Sequence, residues 1–139
     1  MTPRGYRLLP HTADIRLEVR GRDLPELFAT GVTALFSLLT DRRRVRAVET
    51  RILEVSGTDL EDRFFLMLRE ALLLFAADRF LVRSARGRMK PSGVTVEVSG
   101  EPFDSSRHPA FREIKAVTAH GMAVERIPDG FVARFLVDV

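Results

Sequence analysis

The chain has 139 residues, 45% of them hydrophobic, and no cysteine; this is enough for one buried core and excludes disulfides and thiolate metal sites. The net charge is only +3, yet of the 22 lysines and arginines just Lys90 and Lys115 are lysines. Arginine forks onto phosphates and stays charged, which suits an RNA-related role, although genome composition or thermal adaptation produces the same bias.

Residues 1–7 lack the apolar core of a signal peptide, and the apolar stretches 64–68 and 71–77 are split by Arg69-Glu70. The expectation is a cytoplasmic protein with no spanning segment. From Ala13 the apolar residues Ala13, Ile15, Leu17 and Val19 alternate with Asp14, Arg16, Glu18 and Arg20, the period of a half-buried strand with Asp14 on its polar face. Gly21-Arg22 ends it. Asp23, with Glu26 three residues on and Pro25 between, predicts a capping-box start for a helix reaching about Leu39. Leu24, Leu27, Phe28, Ala34, Leu35, Leu38 and Leu39 make one broad apolar stripe on that helix, facing a core.

A short strand over 51–55 precedes Ser56-Gly57, and Thr58 with Glu61 predicts a second capping box and a helix to about Ala77. This helix is apolar at Leu60, Phe64, Met67, Leu68, Ala71, Leu72 and Phe75, and also at Phe65, Leu66, Leu73 and Leu74, a girth that implies cover from more than one side. Strands are predicted over 80–85, 94–98, 113–120, 122–127 and 131–139, the last two joined by Pro128-Asp129-Gly130. The one long irregular stretch is 100–109. The expected architecture is α+β, a single domain over 1–139 with antiparallel or mixed β-sheets packed around two core helices.

Nucleophile chemistry has little support. There is no G-x-S-x-G, P-loop or G-x-G-x-x-G, and His11, His108 and His120 lack metal-ligand spacing. The acids are more informative. Asp14 opens the first strand and Asp138 closes the last, one residue from the Val139 α-carboxylate. If those strands are neighbours, three negative groups converge. Two like charges about 4 Å apart repel by roughly 4 kcal/mol at an effective dielectric near 20, so a cation or a proton must neutralise them. Carboxylates without a His or Cys cluster favour a hard cation, Ca²⁺ or Mg²⁺, over zinc.

Each residue taken singly has a plainer reading. Asp14 and Lys115 fall on solvent faces of strands, Asp138 is a polar C-terminal residue, His11 suits a turn before a strand, and Glu101 after Gly100 could cap a turn. Arg42-Arg43-Arg44-Val45-Arg46 and the set Arg79, Arg83, Arg86, Arg88 and Lys90 are candidate phosphate contacts, but neither interleaves the aromatics that a single-strand stacking platform needs.

The sequence resembles the archease family from Tyr6 to the last residue. The resemblance is carried by Leu9-Pro10-His11-Thr12-Ala13-Asp14-Ile15, the 24–39 helix opening Leu-x-Glu-Leu-Phe, and Asp59-Leu60-Glu61 with Glu70. It continues through Gly100-Glu101, Arg107-His108, Glu113-Ile114-Lys115-Ala116-Val117-Thr118 with His120, and a terminal strand closing on Asp138. Ala119 stands where the family usually has an aromatic, and Ala71 replaces a usual leucine. The resemblance implies a non-catalytic activator of the RtcB-type RNA ligase, which joins tRNA halves through a guanylylated histidine. It further implies a metal site of Asp14, Asp138 and the carboxyl end of Val139, holding Ca²⁺ or Mg²⁺, with Lys115 in the same cluster and His11 and Glu101 as rim or supporting residues. Two rivals are a basic adaptor that grips tRNA through the arginine segments, or serves as chaperone to an RNA-modifying enzyme, and a metal-dependent hydrolase. The hydrolase lacks a recognisable general base beside the carboxylates.

Overall fold

The computed structural model describes Gly5 and residues 13–139. In chain order these form β1 (Asp14–Gly21), α1 (Leu24–Leu39), a 3-10 turn (Arg42–Arg44), β2 (Glu49–Ser56), α2 (Leu60–Asp78), β3 (Phe80–Lys90), β4 (Gly93–Pro102), β5 (Ala116–Ile127) and β6 (Gly130–Asp138). One sheet has the order β1-β6-β5 and the other β2-β4-β3. Every neighbouring pair is antiparallel, so of the two expected sheet types only the antiparallel one is present among the described residues.

Both helices touch both sheets. α1 packs on β1 and β6 of the first sheet and on β3 and β4 of the second, while α2 packs on β5 and on β2, β3 and β4. This is why α2 is apolar around so much of its girth. The helices meet where Gly31 lets the Phe64 ring in: a Cβ at Gly31 would stand 2.6 Å from Phe64 Cζ. Phe28, Phe64 and Phe135 then form an edge-to-face series with centroids 5.2 and 5.8 Å apart, linking α1, α2 and β6 in one core.

Local signals hold at α1, where Asp23 accepts the Glu26 N–H at 2.9 Å as N-cap. The Glu26 carboxylate closes on Arg22 rather than on the cap residue, accepting its N–H at 3.1 Å and its guanidinium at 3.0 Å. At α2 the capping box is displaced by one residue from the Thr58 and Glu61 expectation. Asp59 is the N-cap and accepts from Asp62 N at 2.8 Å, and the Asp62 carboxylate accepts from Thr58 N at 3.2 Å. Glu61 instead turns its carboxylate toward the Val124 N–H on β5.

β3 and β4 run longer than alternation predicts, with a bulge between Val82 and Ser84. The expected strands 113–120 and 122–127 are one strand, starting only at Ala116 and shifting register between Thr118 and Ala123, where Gly121 takes φ +74. Residues 103–115 stay irregular because their partners lie on the end of a helix. Thr40 Oγ1 donates to Pro109 O at 2.7 Å, Phe111 N to Leu39 O at 3.0 Å, and Arg112 Nη1 to Leu38 O at 2.6 Å. The segment thus satisfies carbonyls that the last turn of α1 would leave without partners.

Candidate functional site

The pairing of β1 with β6 sets Asp14 opposite Asp138. The next rung is hydrogen-bonded, Val139 N to Ala13 O at 3.0 Å. The 14/138 rung is therefore the closer kind, in which opposed Cα atoms lie about 4.5 Å apart and both side chains leave the same face. On the far side of β6, Lys115 N donates to Asp138 O at 2.7 Å, and Ala116 is the β5 partner of Asp138. Asp14, Asp138, Lys115 and the main chain of Val139 are thus gathered at one end of the first sheet.

The electrostatics of this end follow from the geometry. A hydrogen bond with the Asp14 carboxyl pushes the Asp138 pKa up from its ordinary value; partial burial and the Asp14 charge add to it, and the Lys115 ammonium holds it back. Farther along the same face the charges are matched, since Arg134 donates to Glu18 at 3.3 Å and to Glu125 at 3.1 Å. Among the described residues no three side chains of His, Cys, Asp or Glu come together as a metal cluster. Two aspartates fit a hard cation by donor chemistry, and Val139 follows Asp138 directly in the chain.

His11 lies outside the described residues. Glu101, for which the resemblance implies a rim or supporting role, lies apart from the first sheet. It belongs to β4 in the other sheet and is buried, 5% exposed. Its oxygens accept a two-pronged Arg107 fork at 2.7 and 3.0 Å, the Arg46 N–H at 2.8 Å, and a hydrogen bond from His108 Nε2 at 2.9 Å. Because His108 Nδ1 accepts the Asp104 N–H at 2.9 Å, Nε2 is the donor toward Glu101. The Arg107 fork, with help from the Arg46 N–H and His108, holds the Glu101 carboxyl down to about 2. Alternation along β4 puts Glu101 on the side of exposed Glu97, so the strand pattern carries no hint of its burial. The nearest signal is the Arg107-His108 pair following in the irregular stretch.

Comparison with known proteins gives the family and the fold. The Archease protein family (MTH1598/TM1083) matches residues 6–139. The chain belongs to the archease family. Protein archease of Thermococcus gammatolerans is 33% identical over 141 residues, covering 98% of this chain and 99% of its own. The solution structure of Methanobacterium thermoautotrophicum protein 1598 is similar at a TM-score of 0.76 with 26% identity, covering 94% of this chain and 96% of that one. A Thermotoga maritima protein described as "an archease, possible chaperone" shares the fold at a TM-score of 0.64 and 21% identity, over 95% of this chain and 94% of that one. The two helices between two three-stranded antiparallel sheets are thus the archease fold. Among the described residues no helix is long and apolar enough to cross a membrane.

Proposed function

We propose that this archease-family chain is a non-catalytic protein cofactor of an RtcB-type RNA ligase in tRNA splicing, acting in the cytoplasm to promote ligase guanylylation by GTP and repeated turnover. The observation that carries this reading is the rung of Asp14 against Asp138, flanked by Lys115. Two carboxylates forced together by strand register repel unless something positive joins them. Asp14 and Asp138 would hold a Ca²⁺ or Mg²⁺ ion, with Val139 main-chain oxygens as further donors. When bound, the ion supplies positive charge able to engage a nucleotide phosphate.

Lys115 has two compatible roles. Its ammonium partly offsets the aspartates, and it offers a charge-assisted hydrogen bond to a phosphate oxygen. The exposed position of Asp14 and Lys115 leaves the cluster open to a partner's active site. Among the described residues no nucleophile or recognisable general base accompanies the pair, which favours an accessory role over hydrolysis by this chain itself.

The test is multiple-turnover joining of tRNA halves by the ligase, with Asp14→Asn and Asp138→Asn proteins added in place of the wild type. Loss of stimulation by both variants is the expected result, with single-turnover joining by pre-guanylylated ligase unchanged. Full stimulation by both variants would refute the reading.

A further inference from the structure

The two arginine segments of the sequence meet in the fold. Arg42 Nη2 donates to the Arg83 carbonyl at 2.8 Å, and Arg83 Nη1 donates to the Arg42 carbonyl at 2.9 Å. This reciprocal clasp joins the 3-10 turn to β3 and brings two cations together. Burial and the neighbouring Arg83 charge push the Arg42 pKa down from its ordinary value. Among the described residues no acidic group lies within 4.0 Å of Arg42, Arg83 or the exposed Arg44. Arg42 Nη1 donates to Ser37 Oγ at 3.2 Å, and among the described residues Arg42 Nε is buried without a hydrogen-bond partner.

An aromatic ring stands at the same place. Phe111 is 51% exposed and hangs from the end of α1 through its N–H to Leu39 O. It lines a pocket of about 320 Å³ with Ser37, Thr40, Asp41, Arg42 and Arg43. The one acid there, Asp41, is already engaged by the Arg43 guanidinium at 3.0 and 2.9 Å. Sequence alone shows no aromatic among the arginines, and the irregular 103–115 segment brings one in from far along the chain.

Guanidinium groups with no carboxylate to satisfy them, beside a solvent-facing ring, are the parts that hold single-stranded nucleic acid without reading its sequence. A purely acidic protein surface would use the cations and leave the ring idle, and a duplex keeps its bases stacked inside. We infer that Arg42, Arg44, Arg83 and Phe111 form a platform for single-stranded nucleic acid, with phosphates on the guanidinium groups and a base stacked on Phe111. This platform goes beyond the ligase-activating role and does not depend on the acidic pair.

The experiment is fluorescence anisotropy with a labelled mixed-sequence RNA 12-mer and the intact protein, titrated at several salt concentrations. Phe111→Ala, which removes only an exposed ring, is expected to weaken binding about tenfold and leave the salt slope unchanged. Arg44→Ala/Arg83→Ala is expected to flatten the log–log salt slope by about 1.4, two phosphate contacts at about 0.7 each. The charge-matched control Arg20→Ala/Arg22→Ala is expected to bind as the wild type does. Any one of four results would overturn the proposal: no binding at low salt, equal affinity for a duplex of the same length, equally effective competition by polyglutamate, or a Phe111→Ala protein that binds like the wild type.

Discussion

At the scale of single residues, two carboxylates with opposite surroundings make opposite statements about pH. Glu101 is depressed to about 2 by the Arg107 fork. Its folded pKa lies below the unfolded value of 4.5, so its contribution to stability is complete above pH 4.5 and fades as pH falls toward 2. Replacing it by Gln removes a charged acceptor from a buried network, and a loss of roughly 2–3 kcal/mol at neutral pH is expected in urea unfolding. The difference between Glu101→Gln and wild type should shrink as the titration moves from pH 4.5 to 2. Asp138 is raised instead, chiefly by Asp14. A raised carboxyl favours folding at low pH and opposes it once pH exceeds the folded value. In metal-free buffer at pH 7, Asp138→Asn is therefore expected to melt above the wild type while losing ligase stimulation. A lower melting midpoint for that variant would show that the two acids do not strain the fold.

At the scale of elements, the contact between α1 and α2 rests on a residue that helix propensity alone would replace. Ala is better than Gly in a helix interior by about 1 kcal/mol. At Gly31, however, an added Cβ would stand 2.6 Å from the Phe64 ring, itself 1% exposed and wedged between Phe28 and Phe135. Overpacking of this kind costs about 1–3 kcal/mol. Gly31→Ala is expected to destabilise the fold by up to about 2 kcal/mol net, measured by denaturant unfolding; an increase in stability would mean that the helices part easily. Element boundaries follow the same logic of packing over local preference. The segment 113–115 alternates like a strand, yet it stays outside β5 because the preceding residues are tied to Leu38 and Leu39 on α1.

At the scale of the whole molecule, the strand order β1-β6-β5 brings the first and last strands together, with β5 on the other flank. A cation held there, as we propose, would bridge the first and last strands and so couple binding to global folding. By mass action, a ligand at about 100 times its dissociation constant that binds only the folded state stabilises it by ~2.7 kcal/mol. Calcium or magnesium added to the wild type is expected to raise the melting midpoint with ion concentration, and Asp14→Asn protein should show no such rise. A rise of the same size in that variant would locate the ion elsewhere.

Residue order over short windows specifies the kinds of element and the chemistry each one carries. Alternation from Ala13 to Arg20, the stripe on α1 and the turn at 128–130 are patterns among near neighbours, and local residue order is enough to specify them. It also marked Asp14 and Asp138 as acids at strand ends and set aside two arginine-rich segments. Which of these groups meet follows from the packing of the whole chain. Asp14 faces Asp138 because β6 lies between β1 and β5; Glu101 is buried because 103–108 and Arg46 close over an otherwise outward face; Phe111 joins Arg42 because α1 ends beside the irregular segment. Those meetings depend on strand order and register, which are set by burying two sheets against one pair of helices, a condition on the whole chain that no local window contains.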